Sequence, residues 1–187
     1  MVKIGINGFG RIGRLILRAL LENFKGKIQV VGINDLGSVE ANAHLIKYDS
    51  THGILNNDVK TTKEGFQIGD QNIKVFAERD PANLPWGKIG ADIVLECTGL
   101  FLNKETAGKH LKAGAKKVII SAPAKDVDFT IVQGVNSKKL SKEHNIISNG
   151  SCTTNCLAPV AMVLENNFGI EYGYMTTIHS YTGDQKL

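Results

Sequence analysis

The chain of 187 residues is long enough for one or two domains with a real core, and 42% of its residues are hydrophobic. Its formal net charge of +4 with only short lysine pairs argues against a nucleic-acid surface, and no apolar run is long enough to cross a membrane. The amino terminus lacks a signal-peptide pattern and three cysteines are too few for a disulfide framework, so we expect a cytoplasmic protein with reduced thiols.

The first half of the chain alternates between strand and helix patterns. The patterns predict a strand over residues 2–6, a helix over 11–23, a strand over 28–33 and a short helix within 36–48. Within the first helix, Leu15, Ile16 and Ala19 are expected to face inward. Between residues 59 and 77, three short strand patterns joined by glycine-containing turns predict a small antiparallel excursion.

The second half returns to the same alternation. It predicts strands over residues 92–97, 117–121, 129–132 and 145–148, and a helix over 104–113 with Gly114 as its C-cap. A longer helix is expected over 152–168, ended by Gly169, followed by a strand over 171–178 that places His179 at its carboxyl end. The alternation predicts an α/β fold with a doubly wound, mostly parallel sheet.

A glycine motif joins the first strand to the first helix. Gly8, Gly10 and Gly13 have the spacing G-x-G-x-x-G, which is a weak signal alone but gains weight between a strand and a helix. In that context Gly8 allows a tight turn, Gly10 lets the backbone approach a pyrophosphate, and Gly13 lets the helix pack closely on the sheet. The helix N-terminus then offers free N–H groups to the phosphates.

Asp35 follows the second strand at the distance that a dinucleotide-binding motif requires. A carboxylate there accepts hydrogen bonds from the adenosine ribose and repels a 2′-phosphate, so the sequence predicts a Rossmann-type site for NAD rather than NADP. The alternative for Asp35 is a solvated turn residue without a ligand.

Cys152 stands at the predicted start of the longer helix, where unpaired N–H groups lower the pKa of a thiol. The C-terminal end of a strand and the N-terminus of a helix share one edge of an α/β sheet, so His179 is expected to reach the sulfur as a base. Cys156 is interpreted as a packed helix residue and Cys97 as a core residue. A zinc site from Cys152, Cys156 and a histidine lacks a fourth ligand, so no metal is expected.

A cysteine nucleophile beside an NAD site indicates aldehyde oxidation. The thiolate would add to an aldehyde to give a thiohemiacetal, and His179 would take the hydroxyl proton as hydride leaves the carbon. The product is a thioester, and the backbone N–H of Cys152 is a candidate oxyanion donor.

Four stretches, INGFGRIGR, LIKYDSTHG, SCTTNCLAP and TTIHSYTGDQ, stand in this order along the chain. Together they resemble phosphorylating glyceraldehyde-3-phosphate dehydrogenase, and the resemblance covers the whole chain. It implies a glycolytic oxidoreductase that converts glyceraldehyde 3-phosphate, inorganic phosphate and NAD to 1,3-bisphosphoglycerate. It also implies a homotetramer for the full-length family.

The resemblance assigns roles to individual residues. It implies that Cys152 is the nucleophile, that His179 is its activator and base, and that the phosphates are bound by Ser151, Thr153 and Thr182. For the cofactor it implies Arg11 and Ile12 at the pyrophosphate, Asp35 at the ribose, Arg79 near the adenine and Ser121 near the nicotinamide. Without the resemblance, Arg79 reads as a solvated loop charge and Ser121 as a strand-end turn.

The resemblance also implies that a catalytic α+β domain begins within this chain and continues beyond it. We expect residues 1–150 to form the NAD-binding domain and 151–187 to form the first part of the catalytic domain, in a truncated chain. Gly150 stands where the family usually has alanine. Two alternatives remain open: an erythrose-4-phosphate dehydrogenase, against which SYTGDQ argues, and an inactive NAD-binding module that joins full-length subunits.

Overall fold

A computed structural model describes residues 1–182 of the chain. In chain order, the strands and helices are β1 (Val2–Asn7), α1 (Arg11–Asn23), β2 (Ile28–Asn34), α2 (Val39–Lys47), β3 (Tyr48–Asp49), β4 (Gly53–Ile54), β5 (Val59–Thr62), β6 (Gly65–Ile68), β7 (Gln71–Phe76), β8 (Ile93–Glu96), α3 (Lys104–Ala107), α4 (Lys109–Lys112), β9 (Lys117–Ile120), β10 (Phe129–Thr130), β11 (Ile146–Ser148) and α5 (Cys152–Phe168). Short 3-10 helices occur at Pro81–Asn83 and Ser137–Lys139.

Nine of these strands form one sheet in the order β10-β11-β9-β8-β1-β2-β7-β6-β5. The pairings from β10 to β7 are parallel, while β6 pairs antiparallel with both β5 and β7. The predicted α/β fold with a mostly parallel sheet and a small antiparallel excursion is therefore confirmed. Because the parallel strands share one direction, their carboxyl ends meet at one edge of the sheet.

The inward face of α1 differs from the sequence prediction. Gly13, Leu17 and Arg18 are buried, whereas Leu15 and Ile16 are only partly covered and Ala19 is exposed. The reason is the close approach at Gly13, since a Cβ there would lie 2.2 Å from the carbonyl oxygen of Gly8. The face of α1 that packs on the sheet is therefore the one that contains Gly13 and, one turn later, Leu17.

The helix predicted over residues 104–113 is divided into two short helices. α3 ends at Gly108, whose N–H donates to the carbonyl of Lys104 at 3.0 Å, and α4 begins immediately after it. A Cβ at Gly108 would lie 2.7 Å from the same carbonyl oxygen, so a glycine is needed at this break. Gly114, the predicted C-cap, follows α4 with φ of +100°, a conformation that favours glycine.

The strand predicted over residues 171–178 is not formed. Residues 170–182 contain no helix or strand, and all of them are exposed. An extended segment becomes a strand only when a neighbouring strand takes up its backbone hydrogen bonds, and the described part of the chain places no strand beside it. The sequence of this segment was therefore not sufficient to predict its structure.

The buried core lies entirely in the region before α5. Three clusters of buried side chains surround the sheet, and their members run from Ile4 to Ile146. The helix α5 has no buried residue, and Cys156 on it is exposed. The interpretation of Cys156 as a packed residue is thus wrong for residues 1–182, because no other element covers its side of the helix.

None of the helices within residues 1–182 has both the length and the apolar character that a membrane span needs.

Candidate active site

A cleft of about 370 Å³ lies at the carboxyl edge of the sheet, where β1, β2 and β8 end. This is the edge at which open parallel sheets bind their ligands. The residues that line the cleft come from the glycine-rich turn and from the segments that follow these strands: Asn7, Gly8, Gly10, Asn34, Asp35, Leu36, Glu78, Arg79, Cys97, Thr98, Leu100 and Phe101.

The three glycines of the motif differ in what surrounds them. Gly8 has φ of +89°, and a Cβ on it would lie 2.8 Å from the backbone nitrogen of Thr98. Gly13 is excluded from carrying a Cβ by its contact with the Gly8 carbonyl. A Cβ on Gly10, by contrast, would meet nothing within 4 Å. The fold itself requires glycine at positions 8 and 13, whereas Gly10 keeps the floor of the cleft open to a ligand.

Asp35 is held in place by the glycine-rich turn. Its Oδ2 accepts a hydrogen bond from the N–H of Phe9 at 2.8 Å, and its Oδ1 accepts one from the N–H of Gly37 at 2.9 Å. Each carboxylate oxygen retains a free lone pair for a hydroxyl donor. Asp35 lines the cleft, so its position fits the hydroxyl-binding role that the sequence predicts.

Arg11 and Ile12 occupy the first turn of α1, with Gly10 as the N-cap and no acidic residue in that turn. The first N–H groups of a helix have no partner within it, so this turn presents positive partial charge at the cleft. The guanidinium of Arg11 is directed to Asp49 at 2.5 Å. The hydrogen bonds of the His52 and Thr51 N–H groups, together with Arg11, lower the pKa of Asp49 to about 2.

The other two predicted cofactor residues are Arg79 and Ser121. Arg79 is exposed and lines the cleft. Ser121 follows β9, and its N–H donates to the carbonyl of Glu96 at 3.0 Å. The side chain of Ser121 also forms a hydrogen bond with Cys97, whose pKa is raised to about 12 mainly by burial. Cys97 packs against the core as predicted and is not a reactive thiol.

The structure brings the predicted nucleophile and base together. The Sγ of Cys152 lies 3.1 Å from Nε2 of His179, and both residues are exposed. The hydrogen bond to His179, aided by the N–H of Thr153, lowers the pKa of Cys152. The same bond to the sulfur is the main cause that raises the pKa of His179. The second cause is the hydrogen bond between Nδ1 and the Ser180 carbonyl at 2.5 Å. The pair therefore favours thiolate and imidazolium.

The start of α5 is built from small polar residues. Ser151 is the N-cap, and its Oγ accepts a hydrogen bond from the N–H of Thr154 at 2.9 Å. The amide of Asn155 donates to the carbonyls of Asn149 and Ser151, at 2.7 and 2.9 Å. Gly150 has φ of +66°, a conformation that suits glycine better than alanine. These bonds fix the turn that carries Cys152.

Two further predicted phosphate residues flank the pair. Thr153 is the second residue of α5 and is partly exposed, and Thr182 lies in the exposed segment that follows His179. Within residues 1–182, no group of three or more His, Cys, Asp or Glu side chains is arranged to hold a metal ion.

Sequence reasoning missed a set of buried polar residues beneath the cleft. Asn7, Asn34, Glu96 and His110 are 5% exposed or less, and all four are joined by hydrogen bonds. The available signal was a polar residue at the carboxyl end of each of three apolar strands. Such residues meet only if their strands are neighbours in the sheet. The sequence alone did not show the strand order.

The parallel sheet, the glycine-rich turn and the acidic residue after β2 define a dinucleotide-binding α/β protein. Comparison with known protein families indicates the same class of protein. The model described as glyceraldehyde 3-phosphate dehydrogenase, NAD binding domain, matches residues 2–104, and the model for the C-terminal domain of the same family matches residues 151–187. The chain therefore belongs to the glyceraldehyde 3-phosphate dehydrogenase family, which confirms the resemblance and the expectation of NAD as cofactor.

Individual relatives share more than half of their aligned residues with the chain. Glyceraldehyde-3-phosphate dehydrogenase of Xanthobacter flavus is 57% identical over 98% of this chain and 55% of its own length. The enzymes of the same name from Geobacillus stearothermophilus and Pseudomonas aeruginosa are 58% and 56% identical over 100% of this chain. The alignments cover 55% and 56% of those two relatives, so the chain spans about half the length of the curated relatives it matches.

Proposed function

We propose that the protein to which this chain belongs is an NAD-dependent, phosphorylating dehydrogenase of glyceraldehyde 3-phosphate that forms 1,3-bisphosphoglycerate. The observation that supports this best is the 3.1 Å contact between Cys152 Sγ and His179 Nε2. The start of α5 follows β11, which is parallel to β9 and through it to β8 and β1. The thiol therefore lies at the same edge of the sheet as the dinucleotide cleft.

Residues that line the cleft, together with neighbouring residues at the same edge of the sheet, would hold NAD. The N–H groups of the first turn of α1, at Arg11 and Ile12, would bind the pyrophosphate, and Asp35 would accept hydrogen bonds from the ribose hydroxyls. Arg79 would contact the adenine and Ser121 the nicotinamide, with Gly8, Gly10 and Gly13 shaping the turn. NAD bound there supplies a hydride acceptor.

The chain's own residues account for the covalent steps. The Cys152 thiolate adds to the aldehyde carbon, and the new oxyanion is stabilised by the Cys152 N–H and takes the proton of the His179 imidazolium, which leaves Nε2 neutral. Nε2 of His179 then accepts the hydroxyl proton as the carbon gives up hydride, which leaves a thioester on Sγ. An oxygen of inorganic phosphate attacks the thioester carbon and expels the thiolate, which regenerates Cys152 and releases the acyl phosphate.

The phosphate groups of both substrates are assigned to hydroxyls near the pair. Ser151, Thr153 and Thr182 are the proposed ligands, with the N-terminus of α5 adding its dipole. We further propose a cytoplasmic location, which suits the free thiols of Cys97, Cys152 and Cys156, and a homotetramer for the full-length protein.

The substitution Cys152→Ser tests this proposal. Wild-type protein mixed with NAD, glyceraldehyde 3-phosphate and phosphate is expected to form NADH, measured by absorbance. C152S is expected to lose at least about a thousandfold in rate because a neutral hydroxyl replaces the thiolate, while its NAD affinity stays unchanged. NADH formation that persists in C152S would contradict the mechanism.

A second candidate function is NAD binding without turnover. The exposure of both Cys152 and His179 and the absence of buried residues on α5 favour this alternative for the chain of residues 1–187. Measurable NAD binding with no NADH in the wild-type chain would support it. Erythrose 4-phosphate in place of glyceraldehyde 3-phosphate in the same assay tests the related dehydrogenase activity.

A further inference from the structure

A row of polar side chains crosses the sheet beneath the cleft. Asn34, Asn7 and Glu96 end the neighbouring parallel strands β2, β1 and β8, and they are directly paired in the strand register. Asn34 Nδ2 donates to Asn7 Oδ1 at 2.7 Å, and Asn7 Nδ2 donates to Glu96 Oε2 at 2.6 Å. All three residues are 5% exposed or less. We call Asn34, Asn7 and Glu96 the polar row.

Glu96 is the acceptor at one end of the polar row, and its neighbours fix it as a carboxylate. The indole Nε1–H of Trp86, which is a donor only, points to Nδ1 of His110 at 2.9 Å. Nδ1 must therefore be the acceptor, and Nε2–H of His110 donates to Glu96 Oε2 at 2.9 Å. Trp86 and His110 are both fully buried, and these two bonds hold the ring with its Nε2 donor aimed at Glu96.

One wall of the cleft is held directly by Glu96. Its Oε1 accepts hydrogen bonds from the N–H of Thr98, at 2.8 Å, and from the Thr98 hydroxyl. The Thr98 Oγ1 in turn accepts from the N–H of Leu100 at 3.0 Å. Thr98 and Leu100 both line the cleft. The segment after β8 therefore takes its shape from the carboxylate.

The opposite wall is held by the other end of the polar row. Asn34 Oδ1 accepts from the N–H of Glu78 at 2.8 Å, and Asn34 Nδ2 donates to the Glu78 carbonyl at 2.8 Å. Glu78 and Arg79 line the cleft on this side. A continuous chain of hydrogen bonds thus runs from Glu78 through the polar row to Thr98.

We propose that Glu96 is a positioning residue for the cofactor, which sets both walls of the cleft through the polar row. This inference rests on the proposed cofactor cleft. A carboxylate is required because Glu96 receives only donors: the Asn7 amide, the His110 ring, and the N–H and hydroxyl of Thr98. A glutamine at position 96 has one C=O acceptor and one NH₂ donor group. Its NH₂ would therefore face either the donors of Asn7 and His110 or the two donors of Thr98.

The test compares Glu96→Gln with Val118→Ala in the full chain. Val118 is fully buried on the adjacent strand β9 and has no polar side-chain atom, so V118A weakens the same sheet without touching the polar row. Calorimetric titration with NAD is expected to show affinity reduced about tenfold or more in E96Q, and nearly unchanged in V118A. Urea unfolding measures the stability lost by each variant.

The titration with NAD tests the inference about Glu96 separately from the proposed function. Equal NAD affinity in E96Q and wild type would overturn this inference alone, as would an equal reduction in E96Q and V118A at matched stability. A wild-type chain that does not bind NAD would overturn the proposed function together with the inference. If E96Q does not fold, Thr98→Val removes only the hydroxyl that links Glu96 to Leu100, and it is expected to weaken NAD binding several-fold.

A spectroscopic measurement tests the same network without any ligand. Trp86 is the one tryptophan in the sequence, and its indole is bonded to His110. In E96Q with the NH₂ group toward His110, the ring loses its acceptor or changes tautomer, so the emission maximum of Trp86 is expected to shift, whereas V118A leaves it in place. With the NH₂ group toward Thr98, the emission stays and the NAD affinity alone falls. Unchanged emission together with unchanged NAD affinity in a folded E96Q would overturn the proposal.

Discussion

The hydrogen bond between Cys152 Sγ and His179 Nε2 couples the charges of the two residues. It lowers the pKa of the thiol and raises the pKa of the imidazole, so the thiolate–imidazolium form is favoured relative to the same two side chains apart. The carbonyl of Ser180 orients the ring through Nδ1, which leaves Nε2 toward the sulfur.

Alkylation of Cys152 is expected to depend on His179. In the substitution His179→Asn the main cause of the lowered thiol pKa is removed, so the midpoint of the pH profile for reaction with iodoacetamide moves upward. At neutral pH the rate is expected to fall about tenfold, because less of the sulfur is thiolate. The rate is measured by mass spectrometry in a Cys156→Ser background, since Cys156 is exposed as well.

The third cysteine provides an internal control for this experiment. Cys97 has a pKa raised to about 12 by burial and is expected to remain unlabelled in both proteins. An identical pH profile with and without His179 would show that the imidazole does not activate the thiol.

Single residues can be placed from the sequence where their position follows from a local pattern. Gly8, Gly13 and Asp35 could be identified because a strand, a turn and a helix in sequence fix their places. Glu96 and His110 could not be identified this way. Their hydrogen bonds depend on β8 lying beside β1 and on His110 reaching back to that strand, which are long-range contacts.

At the scale of elements, Asp128 joins the helix α3 to the strand β11. Its Oδ1 lies 2.6 Å from Nζ of Lys104, and its Oδ2 accepts from the N–H groups of Asn145 and Ile146, both at 2.9 Å. The Lys104 side chain and then the Ile146 N–H lower the pKa of Asp128 to about 2. The Asp128 carboxylate thus accepts the N–H groups at the start of β11 and pairs with the side chain of the first residue of α3.

The substitution Asp128→Asn is expected to destabilise the protein by about 1 kcal/mol at neutral pH. Because the pKa of Asp128 is lower in the folded state, its contribution is complete above its ordinary value of 3.8 and is lost as pH falls toward about 2. Urea unfolding of D128N and wild type over this range should therefore give curves that converge at acid pH. A difference that is independent of pH would contradict the assignment to the carboxylate.

The elements themselves were predicted to the degree that local sequence decides them. α1 and α5 have the predicted bounds. α5 begins after the N-cap Ser151 and ends at Gly169, whereas α1, whose N-cap Gly10 makes no side-chain bond, follows from its helical pattern alone. The break at Gly108 was missed, since nothing in the local pattern shows how close the Lys104 carbonyl comes. The expected strand over residues 171–178 failed because a strand needs a partner, and partners are not encoded in the segment itself.

At the scale of the molecule, the core and the reactive thiol belong to different parts of the chain. The buried clusters run from Ile4 to Ile146, whereas α5 has no buried residue. The division at residue 150 stays a prediction, but this distribution makes it testable. The removal of residues that bury nothing should cost little stability.

A shortened chain of residues 1–150 is expected to fold and to bind NAD. Its unfolding midpoint should lie within about 4 °C of that of the longer chain, which corresponds to a change of about 1 kcal/mol or less. Calorimetry of both chains, with and without NAD, measures this. A shortened chain that is unfolded or unable to bind NAD would show that residues 151–187 belong to the same cooperative unit.

The overall class of the sheet was predictable, but its order was not. Alternating strands and helices indicate parallel pairing because crossover helices require it. The order β9-β8-β1-β2-β7 sets which polar residues become neighbours, and it arises from packing across the whole domain. The long-range part of the candidate site was therefore accessible only from the structure.

The two ends of the large sheet bear on how the protein avoids unwanted assembly. One end is β10, with only two residues, and the other is β5, where Lys60, Thr61 and Thr62 are exposed. Short strands and lysines are poor templates for a strand from another molecule. The sheet is thus protected against growth at both borders, and fibril-like association by edge pairing should be slow even at high protein concentration.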